Sequence, residues 1–228
     1  SITIAFIVIF GLYAVGTITR NIVWQSNVNL WSDSVRKSPD SAEAHTSLGN
    51  AYESQGQWDR ALTEFQTALR LKSDSTEFHN NLGFAYESHG QLDKAIPEFQ
   101  TALRLNPNSA EFHNNLGTAY ASQGRLDMAV AEFQAALRLK PDWAEAEVRT
   151  NLGTAYASQG RLVMAVAEFQ TALRLKPDYI KAHYNLGAVY ASQGRLDRAA
   201  AEYQTVLRLK PDYYEARQRL NDVISSRH

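Results

Sequence analysis

The stretch NLGTAYASQGRLDMAVAEFQAALRLKPD, residues 115–142, decides the fold because it occurs more than once. It returns at residues 151–178 with two changes, Val163 in place of aspartate and Thr171 in place of alanine. Related copies come before and after, at intervals of 34 residues with one interval of 36. A fixed period of this length is typical of proteins built from one repeated supersecondary unit.

Every copy keeps the same residue types at the same spacing. A Leu-Gly pair comes first, then a tyrosine, a second glycine, an alanine, an aromatic residue and a closing proline. Only the first copy departs at its end, with Ser73 in place of proline. In the third copy these positions are Leu116, Gly117, Tyr120, Gly124, Ala129, Phe133 and Pro141.

The spacing predicts a helical hairpin. Leu82 and Tyr86 lie four residues apart and so share one face of a first helix. Gly90 can adopt the left-handed conformation that ends that helix. Ala95 and Phe99 then begin the apolar face of a second helix. Each copy is therefore expected to fold as two antiparallel helices.

An aspartate follows the second glycine by three residues in four of the five copies. We expect its carboxylate to cap the second helix by accepting a backbone N–H. In the fourth copy Val163 takes this place, so the second helix of that copy is expected to lack a cap. The four aspartates are Asp59, Asp93, Asp127 and Asp197.

These motifs resemble the tetratricopeptide repeat (TPR) family. The resemblance implies an all-α, right-handed superhelical solenoid of helix–turn–helix repeats. Residues 42–213 are predicted to form it, and residues 214–228 are predicted to form a C-terminal capping helix. The predicted repeats are 42–75, 76–109, 110–143, 146–179 and 180–213.

Residues 2–19 are apolar and uncharged, which predicts a transmembrane helix within residues 1–20. About 20 apolar residues cross a bilayer as a helix, and 17 suffice. A secretory signal peptide is the alternative, because Ala14 and Gly16 form a small-x-small pattern. The absence of a basic segment before this run favours the membrane helix, and the missing initiator Met suggests a piece of a longer protein. Residues 21–41 are predicted to be a junction with one capping helix.

The junction carries a second resemblance, to polytopic C-type glycosyltransferase-like membrane proteins with TPR arrays. This resemblance implies that the apolar segment is the last of many spans. It also implies a membrane-anchored protein whose repeats face the periplasm or lumen. The matching positions are Arg20-Asn21, Trp24, Leu30-Trp31, Pro39, Ala44-His45 and Leu48-Gly49.

Composition and spacing point away from catalysis and from nucleic acid. Lys plus Arg total 23 against 24 for Asp plus Glu, so no basic excess draws the chain to nucleic acid. Cysteine is absent, which excludes thiol catalysis and Cys-based zinc sites.

Helix packing separates equivalent histidines of successive repeats by about 8–10 Å, too far to share a metal. We expect no enzymatic activity of this chain alone, no cofactor and no metal, and we expect His45, His79, His113 and His183 to be half-buried packing residues.

By the TPR resemblance, the first helix of each repeat lines a concave groove. An asparagine column runs along it and resembles the asparagine ladder of O-linked N-acetylglucosamine transferases. The column consists of Asn81, Asn115, Asn151 and Asn185, with Ser47 at the equivalent position of the first repeat. The amides could pair with the backbone of an extended peptide, or they could tie adjacent helices together. Both alternatives stay open. The candidate partner-binding residues are Asn80, Asn81, Phe84, Asn114, Asn115, Thr118, Asn151, Thr154, Tyr184 and Asn185.

These features predict a membrane-tethered scaffold that binds another protein, or an extended peptide of it, in the groove. The membrane contact would be made by residues 2–19. One alternative is the acceptor-recruiting arm of a membrane glycosyltransferase. Another is a structural subunit that self-associates into filaments, since head-to-tail contacts between similar repeats need not close.

Overall fold

The computed structural model describes residues 27–139 and 145–226, and its regular elements there are all α-helices. The predicted all-α fold is therefore confirmed for this part of the chain. The twelve helices are α1 (Asn27–Lys37), α2 (Ala42–Ser54), α3 (Trp58–Leu71), α4 (Thr76–Ser88), α5 (Leu92–Leu105), α6 (Ala110–Ser122), α7 (Leu126–Arg138), α8 (Glu145–Ser158), α9 (Leu162–Leu175), α10 (Ile180–Ser192), α11 (Leu196–Leu209) and α12 (Tyr214–Ser225).

The helices belong to two compact units, Ser1–Leu105 and Asn106–His228. In the first unit, α2 packs against α3 and α4 against α5, with α1 lying on α2. In the second unit, the pairs are α6 with α7, α8 with α9 and α10 with α11, and α12 lies on α11. Each pair occupies one predicted repeat, although α8 begins at Glu145, one residue ahead of the predicted frame.

None of the described helices combines the length and the apolar character that crossing a bilayer requires. The transmembrane helix predicted within residues 1–20 lies outside the described residues, as does the first part of the junction. The described part of the junction contains α1, the helix expected there as a cap. Its Leu30, Trp31 and Val35 are half-buried.

The second glycine of each repeat makes the hairpin turn, as predicted. Its φ lies between +70° and +76° in all five repeats, a conformation that favours glycine. In the first repeat, the Gly56 N–H donates to the Glu53 carbonyl and the Gln57 N–H to the Tyr52 carbonyl, both at 2.9 Å. This Schellman pattern satisfies two carbonyls that the end of α2 would otherwise leave without partners.

The first glycine has a different role, because it lies inside a helix against an aromatic ring. A Cβ placed on Gly117 would be 2.8 Å from Cε1 of Phe133, closer than such atoms approach. The same contact occurs in every repeat, at 2.6–2.9 Å. The bare backbone of the first helix therefore lets the ring of the second helix lie directly on it, and the ring is buried.

Glutamine–tyrosine hydrogen bonds join successive hairpins within each unit. In the first unit, Gln66 on α3 donates to the Tyr86 hydroxyl on α4 at 2.8 Å. In the second unit, Gln134 donates to Tyr156 at 2.9 Å and Gln170 to Tyr190 at 3.1 Å. Each of these tyrosines thus buries its ring and still has a partner for its hydroxyl group.

The prediction that the repeated aspartates are N-caps is wrong. The N-cap residues of α3, α7, α9 and α11 are Gln57, Arg125, Arg161 and Arg195, and none of them makes a side-chain cap. The helix begins earlier than expected because the turn after the glycine is short. The aspartates therefore fall at the second helical position, where a negative charge still favours the positive end of the helix dipole.

The four repeated histidines are largely buried, as expected, but they are also paired. Each Nδ1 lies 2.6 Å from a glutamate oxygen on the second helix of the same hairpin. Each Nε2 lies 2.8–3.2 Å from a backbone carbonyl that precedes the first helix. A carbonyl only accepts, so the Nε2–H of each ring donates to it, while Nδ1 faces the glutamate carboxyl group. The pairs are His45–Glu64, His79–Glu98, His113–Glu132 and His183–Glu202.

In the fourth repeat, an arginine replaces the histidine. Arg149 lies 2.9 Å from Glu168 on α9 and 2.8 Å from Glu145 on its own helix. A nitrogen-bearing side chain that contacts the glutamate of the second helix is thus retained when the residue type changes.

We predict that Gly117→Ala destabilises the protein by about 1–3 kcal/mol, because the new methyl group overlaps the Phe133 ring. Urea unfolding followed by circular dichroism measures this change. Helix propensity alone predicts the opposite sign, a gain of about 1 kcal/mol. A stabilised or unchanged variant would show that the close contact is unimportant.

We predict that Val163→Asp stabilises α9 by about 0.3–1 kcal/mol at low ionic strength, through the helix dipole. Val163 is 81% exposed, so the substitution removes no core contact. Thermal unfolding at low and high salt measures the effect, and Val163→Asn is the matched uncharged control. An equal gain from asparagine would exclude a charge effect.

We predict that the His183–Glu202 pair stabilises the protein more at low pH than at high pH. The Glu202 hydrogen bond raises the pKa of His183 above its ordinary value, against the opposing effect of burial. The stabilisation is complete below the unfolded pKa of about 6.5 and is lost as the pH rises through the folded value. The difference in unfolding free energy between wild type and His183→Gln should therefore shrink from about pH 6 to about pH 9. A constant difference would contradict the pairing, and Glu202→Gln should remove the same pH dependence.

Candidate functional site

The predicted partner-binding residues all lie on the first helices of the hairpins, but in both units. Asn80, Asn81 and Phe84 are on α4 in the first unit. The other seven are on α6, α8 and α10 in the second unit.

In the first unit, the predicted residues differ in accessibility. Asn80 is only 5% exposed, and Asn81 is half-buried. Phe84 is 39% exposed, and its ring meets Phe99 edge-on with 5.5 Å between centroids. Phe84 is thus held by one neighbouring ring and still offers part of its surface to solvent.

Two glutamates on these helices were not among the predicted site residues. Glu53 on α2 and Glu87 on α4 occupy equivalent, half-buried positions. Burial raises the pKa of both carboxyl groups. Neither side chain has a hydrogen-bond or ion-pair partner among the residues that the structure describes. In the second unit, the equivalent residues are Ala121, Ala157 and Ala191.

In the second unit, polar side chains tie neighbouring first helices together. Asn151 Nδ2 on α8 donates to Asn114 Oδ1 on α6 at 3.1 Å. Lys181 Nζ on α10 donates to Asn151 Oδ1 at 3.0 Å. Asn185 Nδ2 donates to the Thr154 hydroxyl at 3.0 Å. These bonds support the second alternative for the asparagine column, while peptide binding stays a prediction.

The two predicted threonines use their hydroxyl hydrogens within their own helices. Thr118 donates to the Asn114 carbonyl at 2.9 Å, and Thr154 donates to the Thr150 carbonyl at 2.8 Å. Their oxygens are therefore left to accept, and the oxygen of Thr154 accepts from Asn185. Asn115 is only 6% exposed, so it contributes less surface than its neighbours in the column.

Two equivalent cavities lie side by side along these helices. The first, of about 290 Å³, includes Thr118, Ser122, Phe133, Asn151, Thr154 and Lys181 in its wall. The second, of about 310 Å³, includes Thr154, Ser158, Phe169, Asn185, Ala188 and Ser192. We call the surface formed by the two cavities the groove of the second unit. Its floor is apolar and its rim carries amides and hydroxyl groups.

Lys181 is the groove residue that the sequence pattern did not indicate. The equivalent position is glutamate in the other four repeats, at Glu43, Glu77, Glu111 and Glu147. The change from glutamate to lysine in one repeat does not by itself indicate a role. The role of Lys181 depends on its contact with Asn151 on the neighbouring first helix.

Tyr184 is not among the residues that line the two cavities. Its ring centroid is 5.8 Å from that of Tyr203 and 5.5 Å from that of Tyr213. Burial is the main cause that raises the pKa of Tyr203 to about 12. Tyr184 therefore belongs to an aromatic cluster in front of α12. Among the described residues, no group of three or more acidic or histidine side chains is placed to hold a metal ion.

Sequence models of the tetratricopeptide repeat match most of the repeated region. One covers residues 80–142, a second covers residues 49–90 and 153–194, and a third covers residues 180–213. Together they cover more than half of the chain. No curated protein matches the sequence.

Several solved structures have the same fold. The Cut9–Hcn1 hetero-tetramer of the APC/C matches with a TM-score of 0.75 and 22% identity over 86% of this chain, but over only 38% of the matched chain. YrrB, described as a TPR protein with an unusual peptide-binding site, matches with a TM-score of 0.61 and 23% identity, over 82% of this chain and 96% of YrrB. TTC0263, a TPR protein of Thermus thermophilus, matches with a TM-score of 0.67 and 26% identity, over 81% of this chain and 99% of its own.

These comparisons do not support the resemblance of the junction to glycosyltransferase-like proteins. The repeat motifs, the hairpins with their glycine turns and the sequence models agree with one another. The chain belongs to the tetratricopeptide repeat family.

Proposed function

We propose that this chain is a scaffold that binds an extended segment of a partner polypeptide in the groove of the second unit. The observation that carries the proposal is the pair of equivalent cavities, whose walls repeat the same residue positions one repeat apart and share Thr154 and Ser158. A row of like cavities suits a ligand that is itself a chain of like units. YrrB, a TPR protein of similar fold, is described as having a peptide-binding site.

The chemistry of the groove fits a polypeptide better than a compact metabolite. Alanine, leucine and phenylalanine side chains form an apolar floor for small side chains. Amides and hydroxyl groups at the rim can pair with backbone groups that an extended chain leaves unsatisfied. Both cavities are open, so a ligand must gain affinity by spanning several of them. Binding without chemical conversion is the activity that such a surface supports.

The proposal includes attachment to a membrane through residues 2–19, with the repeats on the periplasmic or luminal side. The support is the uncharged, apolar composition of this run and its length, close to the ~20 residues of a membrane-spanning helix. Attachment would confine the groove to the bilayer surface and raise the local concentration of a partner held there.

Panning a random peptide library on the full chain in detergent tests the proposal. We expect enriched peptides whose affinity falls at least about tenfold in Ala157→Leu, because leucine fills the second cavity. Ala131→Leu is the matched control, since Ala131 is an exposed residue on α7 outside both cavities. Circular dichroism verifies that both variants fold.

Two results would contradict the proposal. One is a library without any enriched peptide. The other is a set of peptides that bind Ala157→Leu as tightly as Ala131→Leu and wild type, which would place their site away from the groove.

A further inference from the structure

The hydrogen bonds within the groove of the second unit leave several N–H donors unused. An asparagine amide has two N–H hydrogens and a lysine ammonium group has three. Asn151, Asn185 and Lys181 each use one in the bonds between helices. One N–H hydrogen therefore remains on each asparagine, and two remain on Lys181.

Two amide oxygens and one hydroxyl group at the same place each accept one of these bonds. Asn114 Oδ1 already accepts from Asn151, and Asn151 Oδ1 accepts from Lys181. The Thr154 hydroxyl accepts from Asn185 and donates to a carbonyl of its own helix. A ligand that brings carbonyl oxygens therefore finds N–H partners on three side chains, Asn151, Asn185 and Lys181.

The spacing of the cavities is a second, independent constraint. Side chains on α6, α8 and α10 meet directly, so these helices are neighbours separated by about 8–10 Å. A β-strand brings side chains to one face about every 6.7 Å, or about every 13 Å at the next repeat. A polyproline-II helix has three residues per turn with a rise of about 3.1 Å, so positions i and i+3 lie about 9.3 Å apart on one face. Of these spacings, only the ~9.3 Å between positions i and i+3 of a polyproline-II helix matches the ~8–10 Å between neighbouring first helices.

We infer that the groove of the second unit takes a proline-rich segment in the polyproline-II conformation. This inference rests on the proposed function and specifies the partner. Proline has no N–H, and the backbone carbonyls of a polyproline-II helix have no internal partners. Such a segment therefore supplies acceptors to Asn151, Asn185 and Lys181, while small apolar side chains at i and i+3 enter the two cavities.

The apolar floors suit small side chains such as valine. The first cavity is closed below by Phe133 and the second by Phe169, with alanines beside them. A segment that is already extended also loses little conformational freedom on binding, which favours affinity in a shallow groove.

Fluorescence anisotropy with labelled dodecapeptides and the full chain in detergent tests the inference. The first peptide consists of Pro-Pro-Val triplets, the second alternates serine and valine, and the third consists of Gly-Gly-Val triplets. We expect the proline peptide to bind at least about tenfold more tightly than either of the others. The glycine peptide keeps the spacing of the valines without the fixed backbone, and the alternating peptide keeps an extended backbone with the wrong period.

Variants assign the binding to the groove. Lys181→Met keeps the aliphatic stem and removes the donors, so the affinity for the proline peptide should fall several-fold, and Lys181→Arg should largely restore it. Ala157→Leu should abolish binding, and Ala131→Leu should leave it unchanged. A proline peptide that binds Lys181→Met and Ala157→Leu as tightly as wild type would overturn the inference.

The remaining outcomes separate the inference from the proposed function. If the alternating peptide or library peptides bind in a manner sensitive to Ala157→Leu and the proline peptide does not, the inference is wrong and the proposed function stands. If neither the three peptides nor any library peptide binds, both are wrong.

Discussion

The contact between a helical glycine and an aromatic ring determines how each hairpin is built. The ring of Phe133 occupies the space that a side chain on Gly117 would need, so the two helices approach more closely than larger residues allow. Ala129 and Ala136, four residues before and three residues after Phe133 on the same helix, are fully buried, and small residues suit the same narrow separation. The glycine turn connects the two helices of a hairpin, and the glutamine–tyrosine bonds connect successive hairpins. The distance between the two helices is determined by the contact of the glycine with the ring.

Local features of the fold were predictable, since each depends on residues within one repeat. A left-handed turn at Gly90 and a shared face for Leu82 and Tyr86 follow from spacing alone. The aspartate caps were predicted wrongly because the start of a helix depends on the length of the preceding turn, which the pattern does not specify. The histidine–glutamate pairs join residues 19 apart in the sequence, and their geometry appears only when both helices are in place.

The helices that carry the candidate site were predictable, and the hydrogen bonds that shape its surface were not. Family resemblance located the first helices, and the structure places Asn151, Thr154 and Asn185 on them along two cavities. Hydrogen bonds between repeats decide which groups stay available, and these depend on residues about 30 positions apart. The two units also differ: the first has half-buried glutamates at Glu53 and Glu87, and the second has alanines at the corresponding places.

The near-identity of residues 115–142 and 151–178 has a consequence for register. Two cavities of the same shape would let a periodic ligand shift by one repeat with almost no change in energy. Lys181 breaks this degeneracy, because it lines the first cavity and is absent from the lining of the second. One cation in an otherwise duplicated surface can therefore select a single alignment from two that are sterically equivalent.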